Sequence, residues 1–402
     1  MDTLIELYDE RAIENVIGPE TFRPRRIVYL YPQEWGDSAG AQRVIEKYFA
    51  GRGFNPQVEF VGVSLYKAEK ILRTLREIHS RYPDCALEVT GGTDAALLAA
   101  GMFCGQTDVP AFTYSRKRNC FYGIHGTGIT EELPCTLSYS VEDFFRMTGG
   151  TLRRGRVDNG ILAKYMPGFE DFFRVFLEYR VQWTEAISFM KLISQQEHGE
   201  PIRLAVHGSL RQHSEHGRGV TIPQKLLYRL QQIGYLKDVR IEDGKVSFSF
   251  ADTQIRTWLR DVGSVLELYM YKMCCDAGVF GDVVSSAVVD WDGTVGHDSV
   301  SNEIDVAATR GATLLCISCK ACEIKTEAIN ELAILRDRFG GKGAKAVIVT
   351  TERCGAAARH RAAQMNIAVI DLEELQAGTA AERLRVIMKV KPTAEEREEK
   401  NK

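Results

Sequence analysis

The sequence predicts an α/β protein in which a Rossmann-like, doubly wound sheet precedes a helical connector and a second α/β domain. Two observations carry this prediction. The first 125 residues or so alternate strand-like and helix-like segments, which favours a parallel sheet. From residue 252 the predicted order is helix, three strands, helix, strand, which indicates a second α/β domain. The predicted limits are 1–130, 131–251, 252–385 and a charged tail at 386–402.

Composition restricts the function classes. A hydrophobic content of 45% and a charged content of 26% in 402 residues are ordinary for a soluble globular protein. The net charge of −3 gives no global attraction to nucleic acid, so such binding would need a local basic patch. No apolar run approaches about 18 residues and the first ten residues are acidic, so we expect neither a membrane span nor a secretory signal. Ten dispersed cysteines indicate reduced thiols in the cytoplasm.

The first sheet is predicted from apolar runs separated by amphipathic helices. Its strands are expected at 4–9, 25–31, 57–63 and 85–89, with AFTYSRK and CFYGI completing the sheet. Helices are expected at 10–17, 38–51 and 67–81, the last with its apolar side chains on one stripe.

A glycine turn follows the fourth predicted strand and opens into a helix of small residues. It comprises Thr90, Gly91, Gly92, Thr93 and Asp94. Backbone N–H groups at the carboxyl end of a strand and the amino end of a helix favour an anion, so this loop is a candidate ligand site. It matches neither the GxxxxGK[ST] nor the GxGxxG pattern. The alternative is a tight turn whose Thr93 caps the helix.

Polar residues after the next strand are candidates for the same ligand. They are Ser115, Arg116 and Lys117. The alternative is a solvated cationic turn.

The connector is less informative. An aromatic-rich helix is expected at 169–189. A helix beginning at Pro223, followed by a hairpin with an Asp243-Gly244 turn, resembles part of a winged helix. Its cations can contact a phosphate backbone, although an adaptor between two domains explains the module equally well; they are Lys225, Arg229, Lys237 and Arg240. Three nearby histidines lack the spacing of a good metal site: His207, His213 and His216.

The most informative stretch is 302–320, NEIDVAATRGATLLCISCK, which alternates as a β-hairpin with its turn at Arg310-Gly311. Glu303 and Asp305 share one face of the first strand. Cys316, Ser318 and Lys320 share one face of the second, which places Asp305 across from Cys316 or Ser318. Carboxylates that hold a divalent metal beside a cation are what phosphodiester hydrolysis needs. The alternative is an exposed hairpin with a polar face.

The elements around this hairpin complete the second domain. A long helix is expected at 252–276, with Glu267 at the margin of its apolar stripe, one turn after Gly263. Further strands are expected at 282–293, 344–350 and 367–371, with a helix at 326–338. The order helix, three strands, helix, strand is the core layout of restriction-endonuclease-like folds.

Four cysteines suggest a competing iron–sulfur site: Cys316, Cys319, Cys322 and Cys354. The strand prediction argues against it, because Cys316 and Cys319 would point to opposite faces.

The motifs VVDWDG, NEIDVAATRG and CISCK resemble the PD-(D/E)xK nuclease half of CRISPR ancillary nucleases. LIELYD, RRIVYLY and VTGGTDAALLAAG resemble their amino-terminal CARF domain, the CRISPR-associated Rossmann fold. The resemblance implies a homodimer that binds cyclic tetra-adenylate between its CARF domains. It also implies a metal-dependent nuclease that cuts DNA, RNA or both in type III CRISPR antiviral defence.

The resemblance also implies roles for individual residues. The loop at 90–93 falls in the ligand site, Glu267 matches the helix acid, Asp305 the metal-binding acid and Lys320 the motif lysine. One position departs from the pattern, because Ser318 stands where the superfamily has an acid two residues before the lysine.

Serine is a poor metal ligand, so Mg²⁺ or Mn²⁺ would depend on Asp305 and Glu267, with Glu303 and the Cys319 carbonyl as further oxygens. The alternative function is a ligand-gated nucleic-acid-binding regulator with an inactive nuclease fold.

Overall fold

A computed structural model describes residues 1–153, 164–196, 199–214, 217–291 and 301–389. The chain divides into two compact units, each assembled from several segments. The first comprises Met1–Arg154, Phe280–Cys316 and Leu332–Ala346; the second comprises Gly155–Val279, Ile317–Glu331 and Val347–Lys402. The domain limits expected from the sequence stay a prediction.

The first unit contains a seven-stranded sheet. Its strands are β1 (Thr3–Leu7), β2 (Arg26–Pro32), β3 (Gln57–Val63), β4 (Cys85–Glu88), β5 (Ala111–Ser115), β6 (Cys120–His125) and β7 (Leu133–Pro134). They lie in the order β3-β2-β1-β4-β5-β6-β7. Strands β1 to β5 pair in parallel, and β6 and β7 continue the sheet antiparallel. This is the doubly wound arrangement that the alternation predicts.

The helices of this unit cover the sheet. They are α1 (Ile17–Phe22), α2 (Ala39–Gly51), α3 (Ala68–Arg81), α4 (Asp94–Thr107) and α5 (Val141–Met147), after which comes the short strand β8 (Thr151–Arg153). The helix expected at 10–17 is instead a 3₁₀ turn, Ala12–Asn15, followed by α1. Pro19 lies in the first turn of α1, the part of a helix that tolerates a proline, so α1 begins as a separate helix after the 3₁₀ turn.

The core of the first sheet lies between its central strands and the helices α3 and α4. Leucine, isoleucine and valine side chains from β1, β2 and β4 pack there against alanines and Phe103 of α4. Burying such side chains stabilises the fold by about 1.5–3 kcal/mol each.

Two carboxyl groups are buried inside this sheet. Glu6 on β1 and Glu88 on β4 are register partners, and their exposed fractions are 2% and 0%. Burial raises the pKa of Glu88 from its ordinary value of 4.5 to about 7. Burial, reinforced by Glu88, raises the pKa of Glu6 well above its ordinary value. The pair is therefore protonated more readily in the folded chain than in the unfolded one.

The second unit contains the connector. Its elements are α6 (Phe169–Glu178), α7 (Arg180–Ile193), β9 (Ala205–Ser209), β10 (Arg211–His213), β11 (Gly219–Thr221), α8 (Gln224–Gln232), β12 (Leu236–Glu242) and β13 (Lys245–Phe250). The single helix expected at 169–189 is thus two helices that meet at Tyr179. Strands β12 and β13 form the expected hairpin, and β9 adds a third strand in the order β12-β13-β9. Helix α8 and the hairpin of β12 and β13 are thus both present in the order that the sequence predicts.

The C-terminal helices follow in chain order. They are α9 (Thr253–Trp258), α10 (Ser264–Asp276), α11 (Thr326–Gly340), α12 (Ala356–Gln364), α13 (Leu372–Gln376) and α14 (Ala380–Ile387). The long helix expected at 252–276 is therefore interrupted. The Asp261 carboxylate accepts the Gly263 N–H at 2.9 Å, a local turn that competes with helical hydrogen bonding and ends the first segment.

A six-stranded sheet contains the hairpin that the sequence singles out. Its remaining strands are β14 (Asp282–Asp290), β15 (Ser301–Arg310), β16 (Thr313–Lys320), β17 (Lys345–Thr350) and β18 (Ile367–Ile370), and the order is β18-β17-β16-β15-β14-β8. The predicted succession of helix, three strands, helix and strand is confirmed. The hairpin turn lies at Gly311–Ala312, one residue later than expected, with Gly311 at φ +53°. Strand β8, which the sequence analysis missed, pairs with β14.

Some expectations fall outside the described residues. They concern positions 292–293 of the predicted strand, His216, and the tail from 390 onward.

No helix in the described ranges is both long enough and apolar enough to span a bilayer.

The buried carboxyl pair makes stability depend on pH. Because the folded chain binds more protons than the unfolded chain between pH 4.5 and about 7, the free energy of unfolding should fall as the pH rises through this window. The loss for Glu88 alone is on the order of 3 kcal/mol. This pH dependence is measured by urea unfolding at pH 5, 6, 7 and 8. The wild type is compared with the Glu6→Gln/Glu88→Gln variant. The variant should show a flatter pH dependence.

A matched control replaces two exposed glutamates of α3, Glu69→Gln/Glu77→Gln, and should keep the wild-type dependence. A wild-type stability that rises between pH 5 and 8 would contradict the prediction.

Candidate functional site

The carboxyl ends of β1, β4 and β5 lie along one edge of the first sheet, because these strands are parallel and adjacent. The segment 90–94 follows β4, and Ser115 ends β5. Asp9 and Arg11 follow β1 on the same edge. The parallel topology therefore groups the predicted ligand residues with two that the sequence analysis did not select.

Both threonine hydroxyls of the loop are engaged in the fold. The Thr90 hydroxyl donates to the Glu88 carboxylate and accepts the Tyr114 N–H at 2.8 Å. The Thr93 hydroxyl donates to the Leu65 carbonyl and accepts the Ala96 N–H at 3.3 Å. Thr93 is thus the N-cap of α4, as the structural alternative expects. In this conformation the two hydroxyls position the loop.

The two glycines are required by close packing against β1. A Cβ on Gly91 would lie 2.8 Å from the Leu7 carbonyl oxygen and 2.9 Å from the Asp9 Cβ. Gly92 has φ +94°, a conformation that side chains rarely adopt. Its N–H donates to the Asp9 carboxylate at 3.2 Å. A carboxylate of the protein therefore occupies an anion-accepting position of the loop.

The cationic residues after β5 differ in their surroundings. Lys117 is exposed, as is Asp94 at the start of α4, whereas Ser115 is partly buried. The Arg116 side chain is 14% exposed and pairs with Glu14 at 3.0 Å. Lys117 is therefore accessible to a ligand at this edge, while Arg116 is held by the protein.

The sequence analysis missed a set of charges behind the loop. Arg11 contacts Asp9 through two nitrogens at 2.7 Å each, and it reaches Glu14 at 2.7 Å. Burial alone would raise the pKa of Asp9, but the hydrogen bonds from Arg11 outweigh it and lower the pKa below its ordinary value. The sequence feature that could have identified these charges is the run DERAIEN at 9–15, in which charged residues closely follow a strand.

In the second sheet, Asp305 lies on β15 and is partly exposed between the buried Ile304 and Val306. The register of β14 and β15 pairs Ser285 with Val306 and Ala287 with Ile304, which places Ser286 opposite Asp305. Ser286 has φ +49° in the middle of a strand. Such strained backbone in a non-glycine residue is concentrated at functional sites.

The neighbouring Ser285 adds a second unusual feature. It is 2% exposed, and its Oγ has no hydrogen-bond partner. The register pairs Ser285 with Val306, so its side chain lies on the buried face of the sheet, away from the face of Asp305, where a hydroxyl without a partner costs free energy.

Strand β16 shows the predicted alternation toward its end. Ser318 and Lys320 are partly exposed, whereas Ile317 and Cys319 are buried. Cys316, on the same face as Ser318, is fully buried. This face of β16 is therefore buried near the hairpin turn and accessible to solvent at the Lys320 end. Glu303, at the corresponding end of β15, is exposed.

Glu267 lies in the first turn of α10 and is partly exposed in a helix whose other faces are largely buried. A Cβ on Gly263 would lie 2.6 Å from its Oε1, so the carboxylate folds back over the glycine. The sequence placed Glu267 beside this glycine correctly; its catalytic role stays a prediction.

The donors at the predicted metal site are oxygen atoms. Within the described parts of the chain, no group of three or more histidine, cysteine, aspartate or glutamate side chains is arranged to hold a metal ion. The donors available around Asp305 are carboxylate and hydroxyl oxygens, which suit a hard cation such as Mg²⁺ or Mn²⁺.

The iron–sulfur alternative finds no support in the cysteines. Burial raises the pKa of Cys316 to about 12, which disfavours the thiolate that a cluster requires. Cys322 is exposed, whereas Cys319 is buried.

The C-terminal part of the chain matches a known family. Residues 255–386 match the model of the Card1-like endonuclease domain. A search of curated protein sequences finds no match to the chain.

Solved structures with the same fold cover nearly the whole chain. Protein VC1899 from Vibrio cholerae is similar with a TM-score of 0.71 and 16% identity, over 95% of this chain and 96% of that one. Can2 from Sulfobacillus thermosulfidooxidans, in complex with cyclic tetra-adenylate, is similar with a TM-score of 0.69 and 17% identity, over 96% and 99%.

A third structure is a type III CRISPR defence DNA nuclease activated by cyclic oligoadenylate, with a TM-score of 0.50 and 15% identity. It aligns over 94% of this chain, which spans about half (51%) of its length. The predicted fold class, the resemblance to CRISPR-associated nucleases and the endonuclease domain are confirmed by these comparisons. The chain is therefore a two-part α/β protein whose residues 255–386 match the Card1-like endonuclease domain.

The packing of Gly91 makes a substitution there informative. The Gly91→Ala variant should lose about 1–3 kcal/mol of stability, because the Leu7 carbonyl at 2.8 Å belongs to a central strand and cannot move aside. Denaturant unfolding measures the change. Gly40→Ala is the matched control, since a Cβ at this exposed helical position meets nothing within 4 Å and should be neutral or stabilising. Equal stability of the two variants would contradict the packing argument.

Proposed function

We propose that the protein is a metal-dependent nuclease that cyclic oligoadenylate, most simply cyclic tetra-adenylate, activates in type III CRISPR antiviral defence. The observation that carries the proposal is the open polar face of β15 and β16 inside the segment that matches Card1-like endonuclease domains. An aspartate and a lysine on this face supply the two kinds of charge that phosphodiester hydrolysis requires.

The hairpin bounds support bringing these side chains together. Strand β15 ends at Arg310 and β16 begins at Thr313, so two residues form the turn. In an uninterrupted antiparallel ladder Arg310 pairs with Thr313. It follows that Asp305 pairs with Ser318 and that Glu303 pairs with Lys320. Lys320 then lies diagonally across from Asp305, within reach of its long side chain.

The protein residues have distinct roles in this proposal. Bound Mg²⁺ or Mn²⁺ would polarise the scissile phosphate and lower the pKa of an attacking water. Asp305 holds the cation, with Glu267, Glu303 and the Cys319 carbonyl as further oxygens. Lys320 orients the water or offsets the charge that develops on the phosphate. Ser318, where the superfamily pattern has an acid, contributes at most a neutral oxygen.

The ligand assignment rests on the edge of the first sheet. The segment 90–94, Ser115 and Lys117 line the carboxyl ends of adjacent parallel strands, the position where α/β sheets bind ligands. Exposed Lys117 supplies a charge that suits phosphate. All ten cysteines are free thiols, as expected in the reducing cytoplasm where we place this activity.

We further propose a homodimer through α4, which begins directly after the ligand loop. Its outward face is apolar and formed by Leu97, Leu98, Gly101, Met102 and Gly105. Leu98 is 62% exposed and Met102 46%. A second copy of the chain on this face would cover it, and the glycines allow close approach of the two helices. The symmetry would place two ligand loops beside one shared ligand.

A ligand-gated nucleic-acid-binding regulator is the second candidate. Helix α8 of the winged-helix-like module carries no acidic residue and exposes Lys225, Tyr228 and Arg229. Such a surface suits a phosphate backbone, although Arg229 also pairs with Glu178 at 3.6 Å. A gel shift of labelled nucleic acid without metal-dependent cleavage would favour this candidate.

The nuclease proposal predicts that Lys320→Ala lowers cleavage at least about 100-fold, because the substitution removes a charge that acts at the scissile phosphate. Labelled single- and double-stranded DNA and RNA are incubated with the protein, Mg²⁺ or Mn²⁺ and cyclic tetra-adenylate. Calorimetric titration with cyclic tetra-adenylate should give a wild-type affinity, because Lys320 lies outside the ligand loop.

Lys325→Ala is the matched control, since this exposed lysine lies five residues beyond the end of β16 and should cleave at the wild-type rate. A Lys320→Ala variant that cleaves at the wild-type rate would remove the assignment.

The dimer proposal predicts that Leu98→Glu yields monomers, because a carboxylate would be buried in the apolar contact of α4. Light scattering after size exclusion measures the mass. Val181→Glu introduces the same charge at a residue that is 75% exposed in the connector, and should leave the mass of the wild type unchanged. The assignment fails if Leu98→Glu is dimeric or if the wild type is a monomer.

A further inference from the structure

Four charged side chains form a continuous network in the first unit. The Gly92 N–H donates to Asp9, and Asp9 accepts two hydrogen bonds from the Arg11 guanidinium at 2.7 Å. Arg11 contacts one oxygen of Glu14 at 2.7 Å, and Arg116 contacts the other at 3.0 Å. The two acids and two bases balance, so the network carries no net charge.

The network ends on helix α11. Arg116 donates to the carbonyl of Gly340, the last residue of this helix, at 3.3 Å. The last carbonyls of a helix lack partners within it, and a cation near them is favourable. Helix α11 follows β16, which ends at Lys320. The network therefore joins the ligand loop to the helix that follows the strand of the proposed catalytic lysine.

The two glycines after α11 are fitted closely to the arginines. A Cβ on Gly343 would lie 2.1 Å from the Arg116 Cδ. Gly341, with φ +61°, would place a Cβ 3.3 Å from the Arg11 Cγ. The crevice that remains between these segments is about 10 Å³, about the volume one water molecule needs. A shift of either arginine would therefore be transmitted to the end of α11.

We propose that the Asp9–Arg11–Glu14–Arg116 network is an electrostatic latch that holds the C-terminal end of α11 until an anionic ligand enters the loop. This inference rests on the proposed function and specifies how its activation is transmitted. Arg116, which the sequence analysis assigned to the ligand, acts here as a positioning residue.

The physical basis is competition for the Gly92 N–H. This donor is occupied by the Asp9 carboxylate at 3.2 Å. A phosphate that approaches the loop repels the Asp9 carboxylate and attracts the Arg11 guanidinium. When Arg11 leaves Asp9 and Glu14, Glu14 and Arg116 lose a contact that fixes them, and the hold of Arg116 on the Gly340 carbonyl weakens. Ligand binding and release of α11 are thereby coupled, and the coupling must be reciprocal.

Glu14→Gln tests the latch, because it keeps the size of the side chain and removes the charge shared by the two arginines. Cleavage is measured with and without cyclic tetra-adenylate, and ligand affinity is measured by calorimetry. Cleavage without ligand should rise about fivefold or more, ligand affinity should tighten by a similar factor, and the stimulation by ligand should shrink. A role in folding alone would lower both activities together.

Glu132→Gln is the matched control. Glu132 pairs with the exposed Arg118, two residues after Arg116, and its loss should leave both activities unchanged. If Glu14→Gln is unstable in thermal unfolding, Asp9→Asn at the other end of the network provides the same test. An unchanged ratio of ligand-stimulated to basal cleavage in a folded variant overturns the latch alone. A wild type that binds no cyclic tetra-adenylate, or is not stimulated by it, overturns the proposed function as well.

Discussion

The parallel pairing of β1, β4 and β5 is the constraint on which the proposed sensor depends. Because these strands run in one direction, their carboxyl ends and the loops that follow must lie along one edge. The Glu6–Glu88 pair is buried just inside this edge, and Glu88 holds the Thr90 hydroxyl. Asp9, which follows β1, accepts a hydrogen bond from the Gly92 N–H. The loop is therefore fixed from two strands before any ligand arrives.

The second sheet follows a different rule. Its central strands are antiparallel, so alternation places polar side chains on one face, and the strand bounds determine which of them face each other. Ser286, with a positive φ opposite Asp305, departs from regular strand geometry where the proposed chemistry takes place. Regular pairing on both sides keeps that conformation in place, as expected for backbone strain at a functional site.

Much of the fold could be predicted because the spacing of apolar residues along the chain shows which face of each helix or strand is buried. The strands of the first sheet, the hairpin at 302–320 and the N-cap role of Thr93 all follow from local pattern. Errors arose where local features interrupted an expected helix, since α1 begins as a separate helix with Pro19 in its first turn and the Asp261 turn separates α9 from α10. Strand β8 was missed because three residues carry too little pattern to identify an edge strand.

The sequence by itself determined the classes of its elements, the candidate ligand loop and the alternation that exposes Asp305 and Lys320. Only the tertiary structure decided that Arg116 faces Glu14 and the end of a helix more than two hundred residues away. The physical reason is that periodicity specifies which side of an element a residue occupies. The partner it meets there depends on strand order and on packing between segments distant in the chain, which no local pattern records.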